Sequence, residues 1–129
     1  MEASMTKVDV SLIGNRTEPV VFEYTWKDVV LYALGVGASA KDLPLVYENA
    51  AGGLQVLPSF CVVPALRAFP KLGENLDWSL MLHGEQCIRL YDRLPPEGKL
   101  VQTGELENIY DKGKGAVYHI RIEGRAGDG

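Results

Sequence analysis

Apolar and polar residues alternate most regularly in the last third of the chain. "SLMLHGEQCIRLYD" (79–92), "GKLVQTGELENIYD" (98–111) and "GAVYHIRIEG" (115–124) each read as a long strand, and "RLPPEG" and "KGKG" between them are rich in turn residues. The spacing predicts an antiparallel meander. In its last strand Ala116, Tyr118, Ile120 and Ile122 share one face and Val117, His119, Arg121 and Glu123 the other. One side is therefore expected to pack on a core and the other to meet solvent or a partner.

The period changes in "EPVVFEYTWKDVVLYALGVGAS", where a short extended run gives way at Thr25 to a nearly continuous apolar stretch. Thr25 followed by Asp28 resembles a capping box, so a helix is expected from Trp26 to Val36, ended by Gly35 and Gly37. Only Lys27, Asp28 and Gly35 interrupt its apolar surface, which predicts burial on most sides. Lys41 to Pro44 reads as a turn. "LVYENAAGGLQVLPSFCVVPALRAF" reads as a short strand, a Gly-Gly turn and apolar pieces that Pro58 and Pro64 restrict to strand ends or edges. Residues 69–78 read as a loop or short irregular helix.

An apolar helix followed by a meander predicts an α+β domain whose antiparallel sheet wraps around a long central helix, the hot-dog architecture. It occupies 18–129 after an N-terminal segment, 1–17, in which "MEASM" reads as a loose terminus. A strand normally follows turn residues such as "RAGDG". Without one, 115–124 is expected to be an open edge awaiting another segment, and the sheet to lack its last strand.

The chain has 129 residues and a formal net charge of -4, which argues against a nucleic-acid surface. No apolar run reaches the ~18 residues needed to span a bilayer, so no membrane association is expected. Met1 to Val10 lacks the apolar core of a secretory signal, which points to an intracellular protein. Cys61 and Cys87 have no metal-site spacing and read as buried or half-buried free thiols; no metal is expected.

Several blocks carry a resemblance in one order: "YTWKDVVLYALGVGAS", "LPLVYE", "LQVLPSFCVV", "LHGEQCIRLYDRLPPEGKL" and "IYDKGKGAV". Together they resemble the N-terminal half of the MaoC-like dehydratases, and more narrowly the type 2 (R)-specific enoyl-CoA hydratases. The resemblance implies two hot-dog halves in the functional unit, the first supplying an acyl tunnel and part of the coenzyme A site and the second the chemistry. The family's catalytic signature, Asp-x-Asn-x-x-His, matches nothing here, so no catalytic residue is assigned and this chain alone is expected to be inactive. The implied substrates are trans-2-enoyl-CoA and (R)-3-hydroxyacyl-CoA, with no cofactor beyond the coenzyme A of the substrate. The implied partner is a second hot-dog half or a second copy, and the implied location peroxisomal or cytoplasmic.

By the same resemblance His83 and Gly84 contact the acyl-CoA and Lys112 its nucleotide or phosphate end, with Lys114 a weaker candidate. Glycine in a strand does admit a ligand to the backbone, and an imidazole beside it donates or accepts a hydrogen bond. From the residues alone, a bulge at Gly84 and a core His83 are the favoured reading, and a solvated lysine is the ordinary one for Lys112. Trp26, Tyr32 and Leu34 read as core in preference to tunnel lining. Ser59 lacks the flanking glycines of a nucleophile elbow, and Asp77, Glu85 and Asp92 form no acid/base pair. Two other functions compete: a stand-alone dimeric acyl-CoA-binding module, and a hot-dog thioesterase using Asp28 or Glu48.

Overall fold

The computed structural model describes residues 8–70, 72 and 76–127. "MEASM", the end of "RAGDG" at Asp128 and Gly129, and residues 71 and 73–75 of the expected loop lie outside the described residues. A three-stranded antiparallel sheet in the order β1-β2-β3 is formed by β1 (Val20–Tyr24), β2 (Gly98–Asp111) and β3 (Ala116–Ala126). Helix α1 (Trp26–Gly35) and the short helices α2 (Leu43–Val46) and α3 (Val62–Ala65) complete the regular structure, with 3-10 turns at Val10–Leu12, Pro58–Cys61, Leu66–Ala68 and Trp78–Leu80.

The hairpin β2-β3 follows the alternation that predicts it. Along β3 the even positions from Ala116 to Ile122 are half-buried and the odd ones exposed. Its strand continues to Ala126, and the Gly127 N–H still donates to the Lys99 carbonyl at 2.9 Å, so Arg125 and Ala126 belong to the strand and not to a turn. In β2 Leu106 pairs with Ile120 and Asn108 with His119, which leaves Glu107 as the extra residue of a bulge. That residue shifts the parity, so Leu106 and Ile109, three apart, both point into the core.

Helix α1 begins as expected: the Asp28 carboxylate accepts the Thr25 N–H at 2.7 Å and its hydroxyl at 3.1 Å. It ends in a Schellman motif, with Ala38 N–H donating to Ala33 O, Gly37 N–H to Leu34 O, and Gly37 at φ 108°. Burial departs from expectation. Val29 and Ala33 are buried, but Leu31 is 70% exposed and Leu34 and Val36 are exposed as well. The helix packs on β1, α2 and the first core cluster along one side only, and 79–92 does not join the sheet.

Two further expectations are corrected. The strand read at "LVYE" is helical over Leu43–Val46, with Pro44 in the first turn, where its missing N–H costs nothing. The apolar pieces at 58–68 wind into successive helical turns, because Pro58 likewise opens a 3-10 turn and backbone bonds close locally. The Gly52-Gly53 turn is present, with φ of 84° and 86°.

The core has two clusters. Tyr24, Val29, Leu54, Phe60 and Leu100 form the first, and Leu72, Leu106 and Ile109 the second, joined by Met81, Tyr118 and Ile120. Between them on β2 lie Gln102 and Gly104. Gln102 is buried with its amide oxygen unpartnered, and its side chain lies over Gly124, where an added Cβ would sit 3.3 Å from its Cγ.

Tyr24 ties the first cluster to the turn before β2 by donating its hydroxyl to the Pro95 carbonyl at 2.8 Å. Burial raises its phenol above the usual range. The folded state therefore holds this proton to a higher pH than the unfolded chain does. The associated stability is complete below about pH 10 and is lost as pH rises through the folded-state value. Tyr24→Phe is expected to cost about 1 kcal/mol at neutral pH and to flatten the alkaline decline, as read by urea unfolding at neutral pH and above pH ~10.

Candidate functional site

The segment from Leu82 to Tyr91 carries the first two candidates. Sequence alternation marks it as a strand, but among the described residues no strand pairs with it, and it is irregular and exposed. His83 and Gly84 together with Glu85 and Gln86 line a shallow depression of about 250 Å³. A Cβ placed on Gly84 would meet no atom within 4 Å, so its backbone faces open space. His83 is accordingly an exposed imidazole and not a core histidine.

Lys112 sits elsewhere. It lies in the β2-β3 turn, where its N–H donates to the Gly115 carbonyl at 2.8 Å and its ammonium lies 5.9 Å from the centre of the Tyr110 ring. The turn is set by Gly113 at φ 78° and by its N–H donating to the Asp111 carboxylate at 2.8 Å. Lys112 does not line the His83 depression. Both segments border the second core cluster: Met81, two residues before His83, packs against it, and so does Ala116, which follows the hairpin turn.

The other residues singled out in the sequence have structural employment. Trp26 and Tyr32 pack on the first cluster, and Tyr32 donates its hydroxyl to Ser59 Oγ at 2.9 Å. Asp77 accepts the Ser79 N–H and hydroxyl at 3.0 and 2.6 Å, and these bonds hold its carboxyl below the usual range. Asp28, one of the two thioesterase carboxylates, is engaged in the cap of α1. Cys61 is half-buried, and burial raises its thiol above the usual range, whereas Cys87 is exposed, against expectation. No group of three or more His, Cys, Asp or Glu suited to a metal is found among the described residues.

A second depression, of about 240 Å³, lies on the outer face of the sheet and was not foreseen from sequence. Arg16 is paired there with Glu105 at 2.7 Å, and Arg121 bridges Glu107 and Glu123 at 3.2 and 3.1 Å. Glu107 shares this face with Glu105 by simple alternation and reaches His119 at 3.2 Å as well as Arg121. The charges largely satisfy one another, as on an ordinary solvated sheet face.

Comparison with known proteins gives these features a context. Residues 22–128 match the family model of the MFE-2 hydratase 2 N-terminal domain. The 3-hydroxyacyl-thioester dehydratase Y of Mycobacterium tuberculosis is 43% identical over 124 residues, which cover 94% of this chain and 42% of that protein. Among solved structures, the full-length peroxisomal multifunctional enzyme type 2 of Drosophila melanogaster aligns with a TM-score of 0.71 at 38% identity, covering 86% of this chain and 20% of the other. A MaoC-like dehydratase from Phytophthora capsici aligns with a TM-score of 0.78 at 26% identity, covering 95% and 46%. The chain thus spans less than half the length of these relatives, and its fold is the hot-dog fold of the MaoC-like dehydratases. It belongs to the family of MFE-2 hydratase 2 N-terminal domains.

Proposed function

We propose that this chain is the acyl-CoA-binding half of an (R)-specific 2-enoyl-CoA hydratase, or 3-hydroxyacyl-CoA dehydratase, of fatty-acid metabolism. The observation that carries the reading is the exposed His83-Gly84 backbone in a member of this family: a glycine with open space above it beside an uncommitted imidazole. The imidazole hydrogen-bonds the acyl-CoA at His83, and the thin backbone at Gly84 lets the ligand approach. Lys112, already extended from the rim of the hairpin, meets the nucleotide or phosphate end of coenzyme A through its ammonium.

Hydration of the enoyl thioester adds water across the double bond, with an acid/base pair to activate the water and amide donors on the thioester oxygen. In this reading those groups belong to a second hot-dog half, or to a second copy, and this chain binds and orients. The relatives named as peroxisomal favour a peroxisomal location over a cytoplasmic one. No described helix is long and apolar enough to cross a membrane.

The test is calorimetric titration of the 129-residue protein with a medium-chain trans-2-enoyl-CoA, beside an assay for loss of the enone absorbance. Binding without turnover is expected. His83→Ala and Lys112→Ala should each weaken binding about three- to tenfold, as loss of one hydrogen bond or charge contact does. Turnover by the isolated chain, or binding indifferent to both substitutions, overturns the assignment.

A further inference from the structure

Near the β2-β3 turn the outer face of the sheet changes character. Farther along it carboxylates and guanidiniums pair with one another, but beside the turn the exposed side chains are a phenol ring, an aliphatic group and an imidazole. Tyr110 pairs across the strands with Val117, and the two are 45% and 50% exposed. His119 follows Val117 on the same face of β3, with the half-buried Tyr118 between them, and its side chain is 60% exposed. Facing and diagonal neighbours on one side of an antiparallel pair lie within about 8 Å of one another. Tyr110, Val117 and His119 therefore form one small aromatic and apolar patch.

Two cations and an oriented acceptor border this patch. Lys112 and Lys114 stand in the turn that follows Tyr110, and the Lys112 ammonium lies 5.9 Å from the centre of the Tyr110 ring. The acid of the turn, Asp111, does not oppose them freely, because its carboxylate accepts the Gly113 N–H at 2.8 Å. His119 presents Nδ1 to the Glu107 carboxylate at 3.2 Å, and Arg121 holds that carboxylate from the other side at 3.2 Å. In a neutral imidazole so placed the proton sits on Nδ1. Nε2 then carries the lone pair and accepts a hydrogen bond.

We propose that Tyr110, Val117 and His119 seat the adenine ring of coenzyme A, with Lys112 and Lys114 on its phosphates, and that His119 selects adenine by accepting a hydrogen bond from the 6-amino group. The inference rests on the reading of this chain as an acyl-CoA-binding half and supplies the residues that recognise the base. An exposed aromatic ring stacks on any base, since every base has a π-face, so Tyr110 gives affinity without choice. The choice lies with His119. Position 6 of adenine is a donor, whereas that of hypoxanthine is an acceptor, as in guanine, and would oppose the Nε2 lone pair. The lysines act as point charges on the phosphate oxygens, and the turn that carries them fixes their distance from the ring.

An NMR titration of the 129-residue protein at about pH 8, where an ordinary imidazole is neutral, tests this with adenosine 3′,5′-bisphosphate, the nucleotide end of coenzyme A without its acyl arm. Amide shifts should move in 108–119. Inosine 3′,5′-bisphosphate should bind about tenfold more weakly, and His119→Ala should bring the two nucleotides to within about twofold of each other. Tyr110→Leu should weaken the adenosine compound about tenfold and Tyr110→Phe change it less than about twofold, because stacking needs the ring and not the hydroxyl. Equal binding of the two nucleotides by the parent chain, or affinity indifferent to Tyr110→Leu, overturns the seat. A trans-2-enoyl thioester of pantetheine, which lacks the nucleotide, separates this inference from the acyl reading. If that thioester binds in a His83-dependent way while the bisphosphate does not bind, the adenine seat alone falls. The reverse result supports the seat and removes the acyl contact at His83, and binding of neither compound overturns both.

Discussion

Gly104→Ala is expected to destabilise the fold by about 3 kcal/mol or more, at the upper end of overpacking costs. A Cβ on Gly104 would lie 1.8 Å from the Ala68 carbonyl oxygen and 3.2 Å from Pro70 Cδ. Both are parts of the main chain or of a ring, so no side-chain rotation relieves the clash. The strand cannot retreat either. Gly104 N–H donates to Thr17 Oγ1 at 3.0 Å and its carbonyl accepts from the Thr17 N–H at 2.9 Å, while Ile122 pairs with it from the other side. Ala68 is fully buried, so the crossing segment has nowhere to move. The expected result is a fall in melting temperature of roughly 10 °C, followed by circular dichroism. Gly84→Ala, where an added Cβ meets nothing, should leave the melting temperature unchanged, which separates steric cost from a general intolerance of glycine loss. Equal melting of Gly104→Ala and the parent chain would mean that Ala68–Pro70 does not cross β2 closely.

Gly104 is a glycine inside an otherwise regular strand, the usual mark of a close backbone approach, and it was passed over in the sequence. What approaches it was not legible, because the segment that does so was read as extended. The same division runs through the fold. The β2-β3 hairpin, the Thr25-Asp28 cap and the Gly37 stop were readable because each is decided within a few residues: by alternation, by one carboxylate reaching back, by one positive φ. Helical winding at 43–46 and 58–68 was missed because a proline near an apolar run suits a strand end and a helical first turn equally well. Period alone cannot choose between them.

Residues 79–92 show a different limit. Their pattern states which face would be buried if a neighbour were present, and it cannot state whether the neighbour is there. The exposed flank of α1 has the same origin: its apolar surface states which faces a neighbour could bury, and α1 packs on β1, α2 and the first core cluster along one side only. For the site, the sequence supplied His83, Gly84 and Lys112 through resemblance, and the structure adds what resemblance cannot. It shows His83 exposed, the space above Gly84 open, and Lys112 outside the depression. The charged outer face was half legible: alternation puts His119, Arg121 and Glu123 on one side of β3, but which carboxylates of β2 they meet depends on the strand register, which the sequence does not state.

Phe60→Ala is expected to cost about 3 to 5 kcal/mol, the range for emptying a buried aromatic site. Phe60 is 1% exposed and stands where three elements meet, with its ring centre 5.2 Å from Tyr24 of β1 and 5.6 Å from Tyr32 of α1, the latter edge-on at 76°. Removing it forfeits the transfer energy of the ring, leaves a cavity among Val29, Leu54 and Leu100, and breaks two aromatic pairs that add beyond area. Collapse into the cavity is opposed from both sides: Tyr24 is held by the Pro95 carbonyl and Tyr32 by Ser59. Against a total stability of roughly 5 to 15 kcal/mol for a single domain, the variant should be marginally folded at 25 °C. Urea unfolding should show a lower midpoint at an unchanged slope, and Phe60→Leu should recover more than half of the loss. A cost below about 1.5 kcal/mol, typical of a tolerated core exchange, would mean that α1 is not held to the sheet through this ring.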